Sequence, residues 1–436
     1  MKSSGSKTLV GEQLAMPDSL WAKTAIPASQ LQPLSNTLTT DVVIVGAGFT
    51  GLSAAIHLAE AGISCVVIDA AQPGWGASGR NNGQVIAGLK QDPDVVERLW
   101  PGETGEKLVR FGSEAPANVF DLIRRHVIDC AAVNKGWVQP AYTRKGEASV
   151  LRRSAAWRDR GVDSRIIEGE QLHELLGTRK YHIGWLDPRG GSIQPLSYAR
   201  GLAQVALKLG VRIYDRTRAV SLERFSGGFE IKTEGGVVKA KSVIVATGAY
   251  AENLVPDLRR SFVPVRTAQI ATRPLPESIR AAILPKGHVA SDTRELLTSF
   301  RLSPDGRLVM GGSGATAGLS HEGVAPYLRA AGFDLFQHLG QIDWEYAWSG
   351  YFAVTTDHLP HVHEPMPGLH VAAGCNGRGI AISTSIGMEL ARRVNGASKE
   401  QMSVPVTDIR TVPFHDFRSL GVAFATRYKR MQDRFS

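Results

Sequence analysis

The stretch Asp41–Asp69 leaves this chain few folds to choose from. Asp41-Val42-Val43-Ile44-Val45 is a β-branched run that is apolar on both faces, the pattern of a buried parallel strand. It leads straight into Gly46-Ala47-Gly48-Phe49-Thr50-Gly51. From Thr50 to Ala61, Leu52, Ala55, Ile56 and Ala59 recur at helical spacing, and Gly62 stands where a helix would stop. A second apolar run, Cys65–Ile68, ends at Asp69. A GxGxxG pattern alone carries little information. Between a strand and a helix, with an acid about 20 residues further on, it predicts a dinucleotide site. Gly46 permits the tight turn, Gly48 lets a pyrophosphate approach the backbone, and Gly51 lets the helix pack on the strand. The helix N-terminus turns partial positive charge toward the phosphates. Asp69 is expected to accept hydrogen bonds from ribose hydroxyls.

Two further buried strands, Ser242–Ala246 closing on Thr247-Gly248 and Val371–Ala373 closing on Gly374, are expected to join the first two in one parallel sheet. A helix is predicted over 195–209, and short strands at 211–214, 219–224, 229–233 and 237–239. Alternating patterns at 261–273 and 293–312 predict an antiparallel sheet. The fold class expected is therefore α/β, a Rossmann-type dinucleotide domain with an interleaved antiparallel-sheet substrate domain. Residues 1–40 read as a lead-in that packs through Leu20 and Trp21. The dinucleotide domain takes 41–90, 185–260 and 355–400, the substrate domain 91–184 and 261–354, and 401–436 form a C-terminal tail.

Two polar, glycine-rich loops narrow the cofactor. Gly76-Ala77-Ser78-Gly79-Arg80-Asn81-Asn82-Gly83-Gln84 follows the second strand. Such a loop can lie along a flat ring system and offer backbone N–H groups to a flavin. Gly374-Cys375-Asn376-Gly377-Arg378-Gly379-Ile380 joins a strand to a helix, Ile380–Val394. It would turn a helix N-terminus toward the flavin edge where negative charge develops on reduction. Arg378 either adds a full charge there or pairs with a surface acid.

The whole arrangement resembles the D-amino-acid-oxidase-related family of FAD oxidoreductases. Residues 41–55, 76–84, Gly190-Gly191, Pro195-Leu196, Ala246–Tyr250, Trp348-Ser349-Gly350 and Gly374–Gly379 carry the likeness. Within the family the pattern is most similar to that of the bacterial gamma-glutamylputrescine oxidoreductases. The resemblance implies FAD as cofactor, with contacts extending to Val220, Thr247 and Gly248. It also implies transfer of a hydride from the carbon of a C–N bond to flavin N5, and hydrolysis of the resulting imine. Relatives that attach FAD through cysteine carry it where this chain has Trp348-Ser349-Gly350-Tyr351-Phe352, so the cofactor is expected to be non-covalent. The lysine of sarcosine oxidases is Ala381 here, and the histidine frequent in relatives is Arg378.

No histidine is nominated as a catalytic base, because such chemistry needs positioning more than a base. Tyr250, Phe300, Trp348, Tyr351 and Phe352 are the aromatic candidates for an amine pocket, and Arg301 is the candidate for holding a substrate carboxylate. The substrate expected is a gamma-glutamylated polyamine or similar amine, with oxygen or another acceptor taking the electrons. The alternative is an oxidase or dehydrogenase of D-amino acids, N-substituted glycines or opines. With 50 Lys and Arg against 41 Asp and Glu, the formal charge is +9. The densest basic pairs, Arg152-Arg153, Arg259-Arg260 and Arg392-Arg393, read as helix-end surface charge, and no nucleic-acid module accompanies them. Cys65, Cys130 and Cys375 form no CxxC pair. No metal site, no signal segment and no membrane span are expected, and the cytoplasm is the expected compartment.

Overall fold

The computed structural model describes residues 12–315, 321–337 and 343–435. Its first sheet is built on four parallel neighbours, Leu369–Ala373, Val237–Val245, Thr37–Val45 and Cys65–Ile68. Arg212–Tyr214 extends it in parallel beyond Cys65–Ile68. Period-two alternation sends Val42 and Ile44 into one core and Val43 and Val45 into another. Covering both faces in this way is what a parallel sheet requires. Each such side chain contributes about 1.5–3 kcal/mol by leaving water.

Helix Phe49–Glu60 packs against helix Gly379–Val394 on the first of these faces. Gly387 makes the close crossing possible, since a Cβ there would sit 2.5 Å from Thr50 O. Ser53 Oγ donates to Thr384 O at 2.7 Å across the same crossing. The two strands expected at 237–239 and 242–246 form one unbroken strand, because its polar half pairs with Gly228–Thr233 in a hairpin extension of the sheet.

The second sheet runs in the order 344–354, 263–272, 308–315, 298–302, 289–291, 137–140, 183–187, 165–168. Every neighbouring pair is antiparallel except Val289–Ser291 with Trp137–Pro140. Strand Ile183–Asp187 belongs to this sheet, although the sequence reading began the dinucleotide segment at 185. Its apolar residues pair with Trp137–Pro140, and the chain returns to the first domain only at helix Pro195–Lys208.

The lead-in packs through Leu20 and Trp21 as expected, and the C-terminal segment is more involved than a tail. Leu20 and Trp21 are fully buried against Leu196, Val309 and Trp348. Val406–Thr407 pairs with His361–Met366 in the first sheet, and helix Arg418–Phe435 lies against the second domain. Among the described residues no helix is long and apolar enough to cross a membrane. The three cysteines are free thiols, and burial pushes Cys65 up to about 12.

Candidate active site

Two connected hollows open at the carboxyl ends of the parallel strands. The first is a narrow cleft of about 180 Å³ over the Gly46–Thr50 turn. Asp69, Thr247, Gly248 and Gly374 also line it. The second is a cavity of about 1250 Å³ between the two domains. Phe49, Ala77, Ser78, Phe352, Cys375 and Ser383 line both, so they form one continuous groove.

Asp69 sits where the sequence places it. Its carboxylate accepts from Ala47 N at 2.6 Å and Ala71 N at 2.8 Å, which locks the turn to the end of the second strand. Burial raises its pKa to about 6; the two N–H groups pull the other way and Asp215 adds to the rise. Gly51 does not face the cleft. A Cβ there would stand 1.9 Å from Gly46 O, so this glycine is required by the packing of helix on turn. Gly79 is constrained in the same way against Gly74 O at 2.3 Å.

The 76–84 loop is held from every side. Arg80 Nε donates to Trp75 O at 2.7 Å, and its Nη1 pairs with Glu12 at 3.0 Å. Trp21 Nε1 donates to Asn81 O at 2.8 Å and Trp348 Nε1 to Arg80 O at 3.0 Å. Asn81 Nδ2 donates to Ser78 O at 2.8 Å, and Gln84 Nε2 to Ala290 O at 2.8 Å. A loop held by this many bonds to its own protein is rigid, as a ring-binding platform has to be. Asn82 Oδ1 is buried on the cavity wall without a hydrogen-bond partner. An orphaned acceptor at that place waits for a donor from a ligand.

Four side chains expected in the pocket are elsewhere. Phe300 is fully buried in the second domain's core, edge-on to Phe336. Trp348 is buried against Trp21 and serves the loop rather than the cavity. Arg301 is buried and lines neither hollow. Its Nη1 donates to Gly83 O at 2.9 Å and Ile193 O at 2.6 Å, and its Nε to Leu302 O at 3.1 Å. Burial alone lowers it to about 9. It braces the loop from behind and is not available to a substrate, and Gly83 is a glycine because its φ is +81° and a Cβ would stand 2.4 Å from Ile193 O. Tyr250 lines the narrow cleft instead of the large cavity, and its hydroxyl accepts from Tyr351 N at 3.1 Å. Tyr351 and Phe352 do reach the cavity. Val220 is 60% exposed on its hairpin strand, and its neighbour Ala219 lines the cleft in its place.

The second glycine-rich turn forms the floor of the cavity. Asn376, in the left-handed region with φ 51°, caps Thr355 by accepting its N–H at 3.0 Å. Gly377, Gly379 and Ile380 line the cavity at the start of helix Gly379–Val394. Arg378 makes no surface ion pair. It points inward, donates to Ala87 O and lies over the Trp137 ring, and burial lowers it to about 10. Lys90, Arg153, Gln139, His358 and helix 418–435 also line this cavity, and the sequence reading named none of them as site residues. Arg153, read as surface charge, is drawn inward by Asp92 at 2.6 Å and Gln139 at 2.8 Å.

A parallel sheet with a glycine-turn cleft that runs into an interdomain cavity under a braced polar loop defines a Rossmann-type flavoprotein. The chain belongs to the FAD dependent oxidoreductase family, whose model matches residues 41–393. It is 28% identical over 421 residues to gamma-glutamylputrescine oxidoreductase of Escherichia coli, covering 95% of this chain and 98% of that one. It is 26% identical to glycine oxidase of Geobacillus kaustophilus, covering 80% and 92%. The crystal structure of the Geobacillus kaustophilus glycine oxidase superposes with a TM-score of 0.70 at 23% identity, over 83% of this chain and 96% of that one. The cofactor is FAD, and the groove fits it: a glycine at 48 and a half-buried acid at 69 in the cleft, and an orphaned acceptor at 82 on the cavity wall.

As a carboxylate, Asp69 accepts from the turn's N–H groups and would accept ribose hydroxyls of the expected cofactor. Its raised pKa therefore makes FAD affinity full above about pH 6 and weaker as pH falls through that value, by up to about tenfold per unit. Titrating apoprotein with FAD at pH 7 and pH 5 checks this, and Asp69→Asn should bind more weakly and flatten the difference.

Proposed function

We propose that this enzyme oxidises the C–N bond of an amine, with a gamma-glutamylated polyamine or a similar carboxylate-bearing amine as substrate. The observation that carries the reading is the cavity of about 1250 Å³. It meets the dinucleotide cleft at Phe49, Ser78 and Phe352, and it is roomy enough for an elongated substrate. FAD, bound in the groove, supplies the acceptor for the hydride that leaves the amine carbon.

The chain's own residues position the amine and exclude water. Phe352 gives an apolar wall at the meeting point of the two hollows, and Tyr351 continues it into the cavity. The first turn of helix Gly379–Val394 places a dipole and the Arg378 charge on the floor, which favours a site that gains negative charge. Helix Arg418–Phe435 closes the outer side: Asp433 accepts from Glu295 N at 2.8 Å and Leu296 N at 3.0 Å. No side chain is needed as a strong base, since a neutral amine delivers the hydride once it is held at the right distance. The cytoplasm is the compartment proposed, on the reduced cysteines.

The likeness to glycine oxidase supports a second reading, an α-amino acid as substrate. Anaerobic flavin bleaching by gamma-glutamylputrescine, putrescine, glycine and D-alanine separates the two. Faster bleaching by gamma-glutamylputrescine supports the first, and bleaching by the amino acids alone gives the second. We further propose that FAD is held non-covalently, because Trp348–Phe352 contains no cysteine. Acid precipitation should leave the yellow colour in the supernatant and a colourless pellet.

A further inference from the structure

The cavity wall carries more positive charge than its own acids neutralise. Asp292 pairs with Arg294 at 3.0 Å and accepts from Tyr181 Oη at 3.0 Å. Glu295 pairs with Lys145 at 3.4 Å and Lys429 at 3.7 Å. Asp433 is committed to two backbone N–H groups. Arg153 is satisfied by Asp92 and Gln139. Lys90, Arg378 and Arg418 remain, and Arg418 reaches a carbonyl, His415 O at 3.3 Å. Arg378 reaches only a carbonyl, Ala87 O, and Lys90 has no carboxylate within ion-pair distance among the described residues.

These two cations come from opposite sides of the cavity floor, Lys90 from the loop before helix Pro93–Leu99 and Arg378 from the second glycine-rich turn. Lys90 follows Gly88 by two residues, and the Gly88 backbone passes beside the Arg378 guanidinium, which would lie 3.7 Å from a Cβ built there. Two like charges facing one cavity, Arg378 half-buried and Lys90 exposed, repel each other. Such an arrangement becomes favourable when an anion enters between them.

We infer that Lys90 and Arg378 form an anion subsite that takes the carboxylate of the amine substrate, and that Lys90 sets the preference for carboxylate-bearing amines over plain amines. The inference rests on the amine-oxidising reading above. The carboxylate could be the α-carboxylate of an amino acid or the remote one of a gamma-glutamylated amine, and both would meet the same two cations.

The charge state supports the assignment. Desolvation first, then Arg378, Arg153 and Lys429, lower Lys90 to about 8, while Glu295 opposes them. His358, from the loop after strand Trp344–Val354, faces Lys90 and is itself lowered, by burial and then by that lysine. A base lowered in this way is charged below about pH 8 and loses its charge as pH rises through it. A bound carboxylate holds the proton on.

The test uses FAD-loaded enzyme with Lys90 wild type, Lys90→Met and Lys90→Arg. Losing one charge-assisted hydrogen bond costs roughly tenfold to a hundredfold in affinity. The ratio of kcat/KM for gamma-glutamylputrescine, or for D-alanine, to that for putrescine should therefore fall by about tenfold or more in Lys90→Met. Lys90→Arg should restore it. In the wild type this ratio should fall above about pH 8, and in Lys90→Arg it should stay level, because arginine keeps its proton. Glutarate, a non-reactive carboxylate, should perturb the flavin spectrum of the wild type and bind at least about tenfold more weakly to Lys90→Met. Which substrate arm loses most tells whether the α-carboxylate or the remote one is held. If the ratios and glutarate binding are the same in Lys90→Met as in the wild type, the subsite is refuted. If no amine reduces the flavin, the amine reading fails, and the glutarate titration still decides the subsite.

Discussion

Replacing Gly48 with valine is expected to give a folded but colourless protein. Gly48 caps helix Phe49–Glu60 with φ −89° and ψ −171°, a conformation that valine adopts without strain. Space is the obstacle. A Cβ at this position lies 2.9 Å from Ser78 Oγ, the atom that accepts from Phe49 N at 3.0 Å. Valine displaces that hydroxyl and puts two further methyl groups beside the turn that the pyrophosphate must approach. FAD occupancy should fall from about one per chain by at least tenfold, a loss above about 1.4 kcal/mol. Far-UV circular dichroism should keep its native shape. Gly51→Val is the contrasting variant. Its Cβ would stand 1.9 Å from Gly46 O, so it should damage folding itself. Stoichiometric flavin in Gly48→Val would remove this turn from the cofactor site.

Arg301→Ala is expected to lower stability by about 2–4 kcal/mol, through unsatisfied carbonyls and the space left behind. Ile193 O and Leu302 O lose a donor, while Gly83 O keeps the one from Ile193 N. The 76–84 loop loses its brace, so flavin should be released more readily. Because Arg301 lines neither hollow, KM should change by the same factor for gamma-glutamylputrescine and putrescine. Urea melts and paired KM values check both halves. A loss confined to the carboxylated substrate would return Arg301 to the binding site.

The dinucleotide half of this molecule was readable from residues 41–69 because backbone geometry dictates it. A tight turn, a close helix and a phosphate each demand glycine at one spacing, and an acid must end the next strand. The substrate half has no such grammar. Along Thr298–Leu302 the alternation puts Phe300 and Arg301 on opposite faces. It does not tell that one face is the core and the other is covered by the 76–84 loop. Trp348 went astray for the same reason. Val220 is expected as a cofactor contact, but its side chain stands in the open on a hairpin strand, 60% exposed. Lys90 carried no motif at all. It enters the proposed subsite only because the fold places it on the same cavity as Arg378.

The central claim is that this is an FAD enzyme that takes a hydride from an amine. Anaerobic titration of the purified yellow protein with gamma-glutamylputrescine, glycine and D-alanine tests it most directly, with flavin absorbance and carbonyl product measured together. At least one of these amines should bleach the flavin in proportion, with one carbonyl product formed per flavin reduced. Flavin that stays oxidised with every amine, while a substrate lacking nitrogen reduces it, would contradict the account.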